Sequence, residues 1–507
     1  MADSGFAGAP ARTLGRPSWA AVVARWRSLS VRGAMLVAAL VASVSCFGLL
    51  GSQPLSWDEA VTLSAARHST GRLFMLLAHT DAPLGLYYLC MHGWVRLAGA
   101  LGVVPTETWL RLPSAAAAVG CVVLVVRFAA DWYGPRAGLL AGLLLAVHPL
   151  FVFYAHDARP YTLATLLTVA ATILFVRARH QPTAGRLIAY VTAAITTVYV
   201  HLFASLVLAV HALVLIVRGP RRPVWAAVAV VVGAATAPLL IVGARQTGEI
   251  AWIPAPSPTA VGSVLLKLAG GVVSAAAMLM IAAGVAFRAR RRPPARVAFL
   301  LAWALVPPLL LVLADLVTPV LVARYALVSV PGLVIALAAA CRADRRRFVV
   351  VGTVVVLLAG AVTSVVQQTL PYKYEDYRAA SDLVDDTARA GDAVLFVPAA
   401  TRVGIGAYST AEPGEQHAVD VALQAGGSPL HADQIAGIEV PADAIAGLLA
   451  GRPDVYLIGD PLSVASGPHV SATDRAKVRA LLQEYATVWS RHFGGITVTL
   501  LSRRNAP

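Results

Sequence analysis

The chain has 507 residues, 58% of them hydrophobic and only 13% charged, with a mean hydropathy of +0.72. That balance excludes an ordinary soluble globular protein and places the chain among polytopic membrane proteins. The formal charge of +15 does not indicate a nucleic-acid partner, because the arginines fall in short clusters between apolar runs and no basic stripe with interleaved aromatics appears.

Residues 1–30 carry Arg12, Arg16, Arg25 and Arg27 among small and polar neighbours, a basic tail expected on the cytoplasmic side. The apolar run 31–50 is about the length a bilayer needs and lacks a convincing cleavage site, so it reads as a signal anchor leading outward. Further runs follow at 112–130, 136–153, 160–177, 187–202, 204–217, 224–243, 261–287, 297–316, 325–341 and 348–366, eleven spans in all. The four cysteines, Cys46, Cys90, Cys121 and Cys341, lie in or beside these segments without paired spacing, which implies neither a disulfide framework nor a zinc site.

The segment 84–101 is apolar but interrupted by His92, Trp94 and Arg96. If it crossed, the arginine clusters at 177–186, 218–222, 288–296 and 342–347 would all lie outside; if it lies in the interface, all four lie inside, as the positive-inside rule prefers. Tyr87, Tyr88 and Trp94 suit headgroup level. Residues 52–111 therefore read as one long outer loop with juxtamembrane helices. The same parity puts 154–161, His201, 245–258 and 315–325 outside. It also delivers 371–507 to the outer face, where a helix near 375–390, strands at 392–397, 454–459 and 495–501, and a helix at 473–485 imply a small α/β domain. The stretch 403–445 gives no clear pattern.

Ionisable residues gather at the outer ends of the spans, where they are costly unless they have a partner or a task. Asp58 and Glu59 follow Ser56-Trp57; the plainer reading is a helix start, with Glu59 favouring the N-terminus. Asp81, in His79-Thr80-Asp81-Ala82-Pro83, and the run His156-Asp157-Ala158-Arg159-Pro160-Tyr161 share that face. Asp58 is the candidate general base for a hydroxyl nucleophile, with Glu59 orienting or capping. Asp157 and Arg159 are either a loop ion pair or a group acting on sugar hydroxyls and phosphate. Arg324-Tyr325 is either a headgroup-level snorkeller or a phosphate fork. His201, Arg245-Gln246 and Lys267 are further candidates, Lys267 because a lysine within an apolar run needs a polar outlet. No phosphate loop, HExxH or DxD pattern stands out, so an activated sugar would have to arrive on a lipid carrier.

The first span, the Asp58-Glu59 pair, Asp81-Ala-Pro-Leu-Gly-Leu-Tyr-Tyr, Arg111-Leu-Pro-Ser, Tyr154-Ala-His-Asp-Ala-Arg-Pro-Tyr and Arg324-Tyr325 together resemble the GT-C superfamily of polyprenyl-phosphate-sugar-dependent glycosyltransferases. More narrowly the chain looks like glycosyltransferase family 39, the protein-mannosyltransferase-like family, and its actinobacterial relatives. The resemblance covers roughly 31–366 and implies a polytopic GT-C fold, catalytic over 31–366, with a small C-terminal extracytoplasmic α/β domain at 371–507. It implies inverting transfer of a sugar, in many relatives mannose, to an outer-face acceptor, with Asp58 as base and Asp157 as a second acidic residue. Family members often have Gln-Glu-Ala-Arg where this chain has His156-Asp157-Ala158-Arg159, which leaves the role of Asp157 open. Glu59, Asp81, His156, Arg159, Tyr161, His201, Lys267, Arg324 and Tyr325 complete the substrate-binding expectation. The cations Arg159, Arg324 and Lys267 would meet the leaving phosphate. No cage of oxygen ligands for a metal is evident, and the resemblance leaves a divalent cation open. The expected partners are the lipid donor, a protein, glycolipid or polysaccharide acceptor, and membrane lipids. The competing readings are a transporter or flippase, which predicts broken helices and ionisable groups near mid-membrane, and a membrane-anchored scaffold acting through 371–507.

Overall fold

A computed structural model describes residues 29–218, 222–250, 252–286, 294–343, 347–409, 418–432, 434–459 and 471–504. The basic tail up to residue 28 and much of the arginine clusters near 221, 288–292 and 345–346 lie outside the described residues. The remainder is mostly helical. The membrane part begins with α1 (Val31–Phe47), followed by α2 (Trp57–Arg67), α3 (Thr70–His79) and α4 (Gly85–Ala100) in the first long connection. Then come α5 (Glu107–Tyr133), α6 (Pro135–Ala146), α7 (Pro149–Ala155), α8 (Tyr161–His180), α9 (Ala184–Val200), α10 (Leu206–Arg218) and α11 (Arg222–Arg245). The series ends with α12 (Pro258–Leu268), α13 (Val272–Ala286), α14 (Ala295–Asp315), α15 (Val330–Ala343) and α16 (Arg347–Thr369).

Among the described residues, six continuous helical segments are long and apolar enough to cross a bilayer, and two bent pairs qualify when each is taken as one span. With three shorter apolar helices they account for the eleven apolar segments of the sequence. The bends have local causes. Pro149 follows the break between α6 and α7, where the axis turns by 64°, and a proline there cannot continue the hydrogen-bond ladder. Gly270 and Gly271, with φ of 84° and 103°, make the 80° break between α12 and α13 in a backbone region that side chains avoid. Alanine and glycine let the helices approach closely: Ala34, Ala38 and Ala42 of α1 are fully buried, and a Cβ on Gly142 would meet the Ala38 methyl at 2.9 Å.

α4 is not among the helices able to cross; it packs on α2. Tyr87 and Tyr88, expected at headgroup level, are 2% and 0% exposed, buried in a cluster with Leu63, Leu110 and Ala158, while Trp94 stacks on Trp109 at 4.6 Å. The aromatic run is core because α4 has protein on the face the sequence pattern assigned to lipid.

Beyond α16 a five-stranded sheet has the order β2-β1-β3-β5-β4, with β1 (Ala393–Val397), β2 (Val419–Asp420), β3 (Asp454–Gly459), β4 (Tyr485–Phe493) and β5 (Ile496–Arg503). β1 pairs parallel with β2 and β3, whereas β5 runs antiparallel to β3 and β4. α17 (Tyr377–Thr387), α18 (Thr401–Gly406), α19 (Ile445–Leu449) and α20 (Ala472–Glu484) accompany it. The strands expected at 392–397, 454–459 and 495–501 correspond to β1, β3 and β5. β4 is unexpected: it is a largely exposed edge strand without an apolar face to announce it. The patternless stretch 403–445 supplies α18 and the short β2.

Candidate active site

The site is set by the start of α2. Ser56 caps the helix, accepting from Glu59 N at 3.4 Å, while the Glu59 carboxylate accepts from Ser56 N at 3.0 Å. This reciprocal cap fixes the first turn. Consecutive helix residues point in different directions, so the two carboxylates of Asp58-Glu59 go to different places.

Asp58 faces a cavity of about 460 Å³ whose wall also includes Trp57, Asp81, Tyr161, His201, Trp252 and Arg324. Arg324 Nη1 donates to Asp58 Oδ2 at 2.6 Å, and Arg159 Nη2 lies 3.5 Å from Oδ1. Arg159 Nη1 also donates to Tyr88 OH at 3.1 Å, and Tyr88 OH donates to Asp81 Oδ2 at 2.8 Å. Asp81 itself sits in the left-handed region, with φ of 55°. Hydrogen bonds from Asp81 through Tyr88 to Arg159, and the Arg159–Asp58 ion pair, thus join the two carboxylates. The Arg324 guanidinium lies 4.8 Å from the Trp252 ring and 5.7 Å from Tyr161. Its loop is held by Asp315, whose Oδ1 accepts from Val320 N at 2.7 Å and Leu321 N at 2.8 Å.

Glu59 is fully buried behind this wall. It receives Arg111 Nε at 2.6 Å on Oε1, Arg111 Nη2 at 2.8 Å and Lys373 Nζ at 3.1 Å on Oε2, and Ala158 N at 2.9 Å. Arg111 spends its other donors on the carbonyls of Leu50, Gln53 and Pro54. Lys373 reaches Asp157 Oδ1 at 3.3 Å and donates to the His156 carbonyl.

These surroundings set the ionisation. Burial pushes the Asp58 pKa up, but the charges of Arg159 and Arg324 outweigh it and hold the carboxyl below the usual range. Glu59 is likewise depressed: burial opposes its charge, but Arg111 and Lys373 prevail. Burial raises Asp157 to about 6, with the Lys373 charge opposing and the Glu59 and Asp58 charges adding. Asp81 is raised by burial, against the nearby Arg159 charge.

Of the expected substrate-binding and catalytic residues, Asp58, Asp81, Arg159, Tyr161, His201, Arg324 and Tyr325 line the one cavity. Asp157 and Glu59 lie behind it in the Lys373 cluster. His156 is occupied by the carbonyls of Val152 and Gly48, at 2.9 and 2.8 Å. Lys267 is exposed on α12 and does not line the cavity. Gln246, a lesser candidate, lines the cavity and braces the Asp81 turn, accepting from Ala82 N at 2.8 Å and donating to Leu77 O at 3.1 Å. The sequence does not single out Trp57, Tyr88, Phe203, Trp252, Arg111 or Lys373 for the site. For the aromatic residues, composition does not separate a cavity wall from a core or headgroup position. Among the described residues, no group of three or more His, Cys, Asp or Glu side chains is placed to hold a metal.

No family model matches the chain, and no curated protein matches it. Two crystal structures of ArnT from Cupriavidus metallidurans are similar to it, one in the apo state and one bound to undecaprenyl phosphate. The TM-score is 0.54 for both, with 16% and 14% identity over 92% and 93% of this chain and 98% of theirs. The arabinosyltransferase EmbB from Mycobacterium smegmatis matches at TM-score 0.35 and 19% identity, over 65% of this chain and 32% of that one. The chain is thus a multi-pass membrane protein with an ArnT-like fold and a small C-terminal sheet domain.

Proposed function

We propose that the chain is a glycosyltransferase that moves a sugar from a polyprenyl-phosphate donor to an acceptor hydroxyl on the outer face of the membrane. The observation that supports this most is Asp58 held between Arg159 and Arg324 on the wall of the cavity. A carboxylate and two guanidiniums at one point are what displacement of a phosphate from a sugar by a hydroxyl requires. The acceptor oxygen bonds to the anomeric carbon as the carbon–oxygen bond to phosphate breaks from the opposite side. The hydroxyl proton passes to Asp58, and the guanidiniums take up the charge of the departing phosphate. Among the described residues, Nε of Arg159 and of Arg324 are buried without an acceptor, donors that phosphate oxygens would satisfy. The fold likeness to ArnT bound to undecaprenyl phosphate supports the same donor class. Mannose is the sugar that the sequence resemblance suggests.

Asp58 is a weak base while both arginines hold it. Donor phosphate would compete for those arginines, so the carboxylate gains basicity when the donor is seated. A second reading, transport of a lipid-linked substrate, draws on the two bent spans, since broken helices line substrate paths in transporters. Purified protein in liposomes with polyprenyl-phosphate mannose and candidate acceptors separates the two. The expected result is transfer by the native chain and a loss of about a hundredfold or more in Asp58→Asn; undiminished transfer in that variant would refute the mechanism.

A further inference from the structure

A second cavity, of about 400 Å³, opens between the ends of α5, α8, α10 and α14 that lie farthest from Asp58. α8 starts at Tyr161 on the Asp58 cavity and ends at His180 on this groove, and its 20 residues span about 30 Å, the thickness of a hydrocarbon core. α14 repeats the geometry in reverse. It begins beside the groove at Ala295 and ends at Asp315, which fixes the Arg324 loop. The groove therefore lies at the depth of the opposite leaflet.

Its walls are apolar, formed by Phe175, Val176, Val217 and Phe299, and its rim carries Arg179, His180 and Arg296. Arg296 is fixed in place, donating to the Trp132 carbonyl at 3.1 Å with its guanidinium 5.7 Å from the Trp132 ring. Among the described residues at this end of the helices, 127–136, 176–187, 213–217, 295–300 and 340–343, the sole acid is Asp131, and it pairs with Arg127 at 3.2 Å. The contrast with the other end, where Asp58, Glu59, Asp81, Asp157 and Asp315 gather, makes the groove strongly complementary to an anion with an apolar tail.

We propose that this groove binds an anionic glycerophospholipid of the leaflet opposite the Asp58 cavity, its phosphate among Arg179, His180 and Arg296 and an acyl chain along Phe175 and Phe299. By the positive-inside rule that leaflet is the cytoplasmic one. The site is independent of the transferase reading, since it shares no side chain with the Asp58 cavity.

The test uses the full chain in nanodiscs containing equal amounts of phosphatidylglycerol and phosphatidylcholine, with retained lipid counted by native mass spectrometry. The native chain should keep phosphatidylglycerol over phosphatidylcholine by about tenfold or more, the order expected for two basic side chains at an anionic headgroup. Arg179→Gln with Arg296→Gln should bring the ratio near one without shifting thermal unfolding in pure phosphatidylcholine, while Arg296→Lys should keep most of the preference. A ratio near one for the native chain overturns the proposal whether or not the double variant folds. So does an unchanged preference in a folded double variant. Displacement of the lipid by soluble glycerol phosphate would also overturn it, by showing that the anion is held without its chain.

Discussion

At the scale of single residues, Asp58 meets Arg324 Nη1 at 2.6 Å and Arg159 Nη2 at 3.5 Å. Because those charges outweigh burial, the free protein keeps this carboxylate ionised to lower pH than an ordinary aspartate. The pH profile of kcat/KM reports the free protein and that of kcat reports the complex with substrate. If donor phosphate draws the arginines away, the acid limb attributable to Asp58 should lie at higher pH in kcat than in kcat/KM. Arg324→Gln should raise the limb in kcat/KM, because one depressing charge is gone, and should lower kcat as well, because phosphate loses a partner. Coincident limbs in the native protein would count against the exchange of partners. Asp157 has the opposite sign. Its folded pKa, raised to about 6 by burial, exceeds the unfolded value, so its contribution to stability is present at acid pH and is lost as pH rises through about 6. Asp157→Asn should flatten the change in unfolding temperature between pH 4 and 7; a native and a variant curve of equal slope would show that Asp157 does not titrate there.

At the scale of elements, α2 works as a lever with two carboxylates on different faces of its first turn, one toward the cavity and one in the core. The core side is the stiffer, because Glu59 accepts from Arg111, Lys373, Ser56 and Ala158 at once. Removing one charge from a buried network leaves the others uncompensated, so Glu59→Gln should destabilise the folded protein by about 3–5 kcal/mol. Unfolding in detergent at neutral pH measures this, and a change below ~0.5 kcal/mol would mean that water reaches the cluster. How much of this was legible follows from where the signal lies. Asp58, Asp81, Arg159 and Arg324 stand out in the sequence because charges at the ends of apolar runs are costly and therefore conspicuous. That Glu59 would turn away from the cavity follows from helix periodicity, but its partners do not, since Arg111 is 52 positions away and Lys373 is 314. Arg111 stands in the Arg111-Leu-Pro-Ser motif, but nothing local says that it turns to Glu59 rather than to the membrane interface, and Lys373 sits in a polar linker with no pattern to mark it. The burial of Tyr88 is hidden for a related reason, because an apolar helix face looks the same in sequence whether lipid or protein covers it.

At the scale of the whole molecule, the C-terminal domain is joined to the membrane part at the candidate site itself. Lys373 lies between the end of α16 and the start of α17, and its side chain, 2% exposed, bridges Glu59 on α2 and Asp157 on the 156–160 turn. Those two segments also carry Asp58 and Arg159. Around this bridge, Trp57 Nε1 donates to Ala400 O at 3.0 Å, Tyr408 OH donates to Glu107 at 2.8 Å, and Arg378 pairs with Glu107 at 2.5 Å. The domain therefore seats on the helix that bears the proposed base. We predict that Lys373 is a positioning residue: Lys373→Met should lower kcat by about tenfold or more, as small displacements of reacting groups do, with little change in KM for the donor. Two further readouts separate positioning from simple loss of structure. Lys373→Arg should recover much of kcat, and the cost of Lys373→Met should shrink in an Asp157→Asn background, because the charge that Lys373 balances there is already gone. A folded Lys373→Met variant with native kcat would show that the seat of the domain and the geometry of Asp58 are uncoupled. Equal costs in both backgrounds would place the coupling elsewhere than in the Lys373–Asp157 pair.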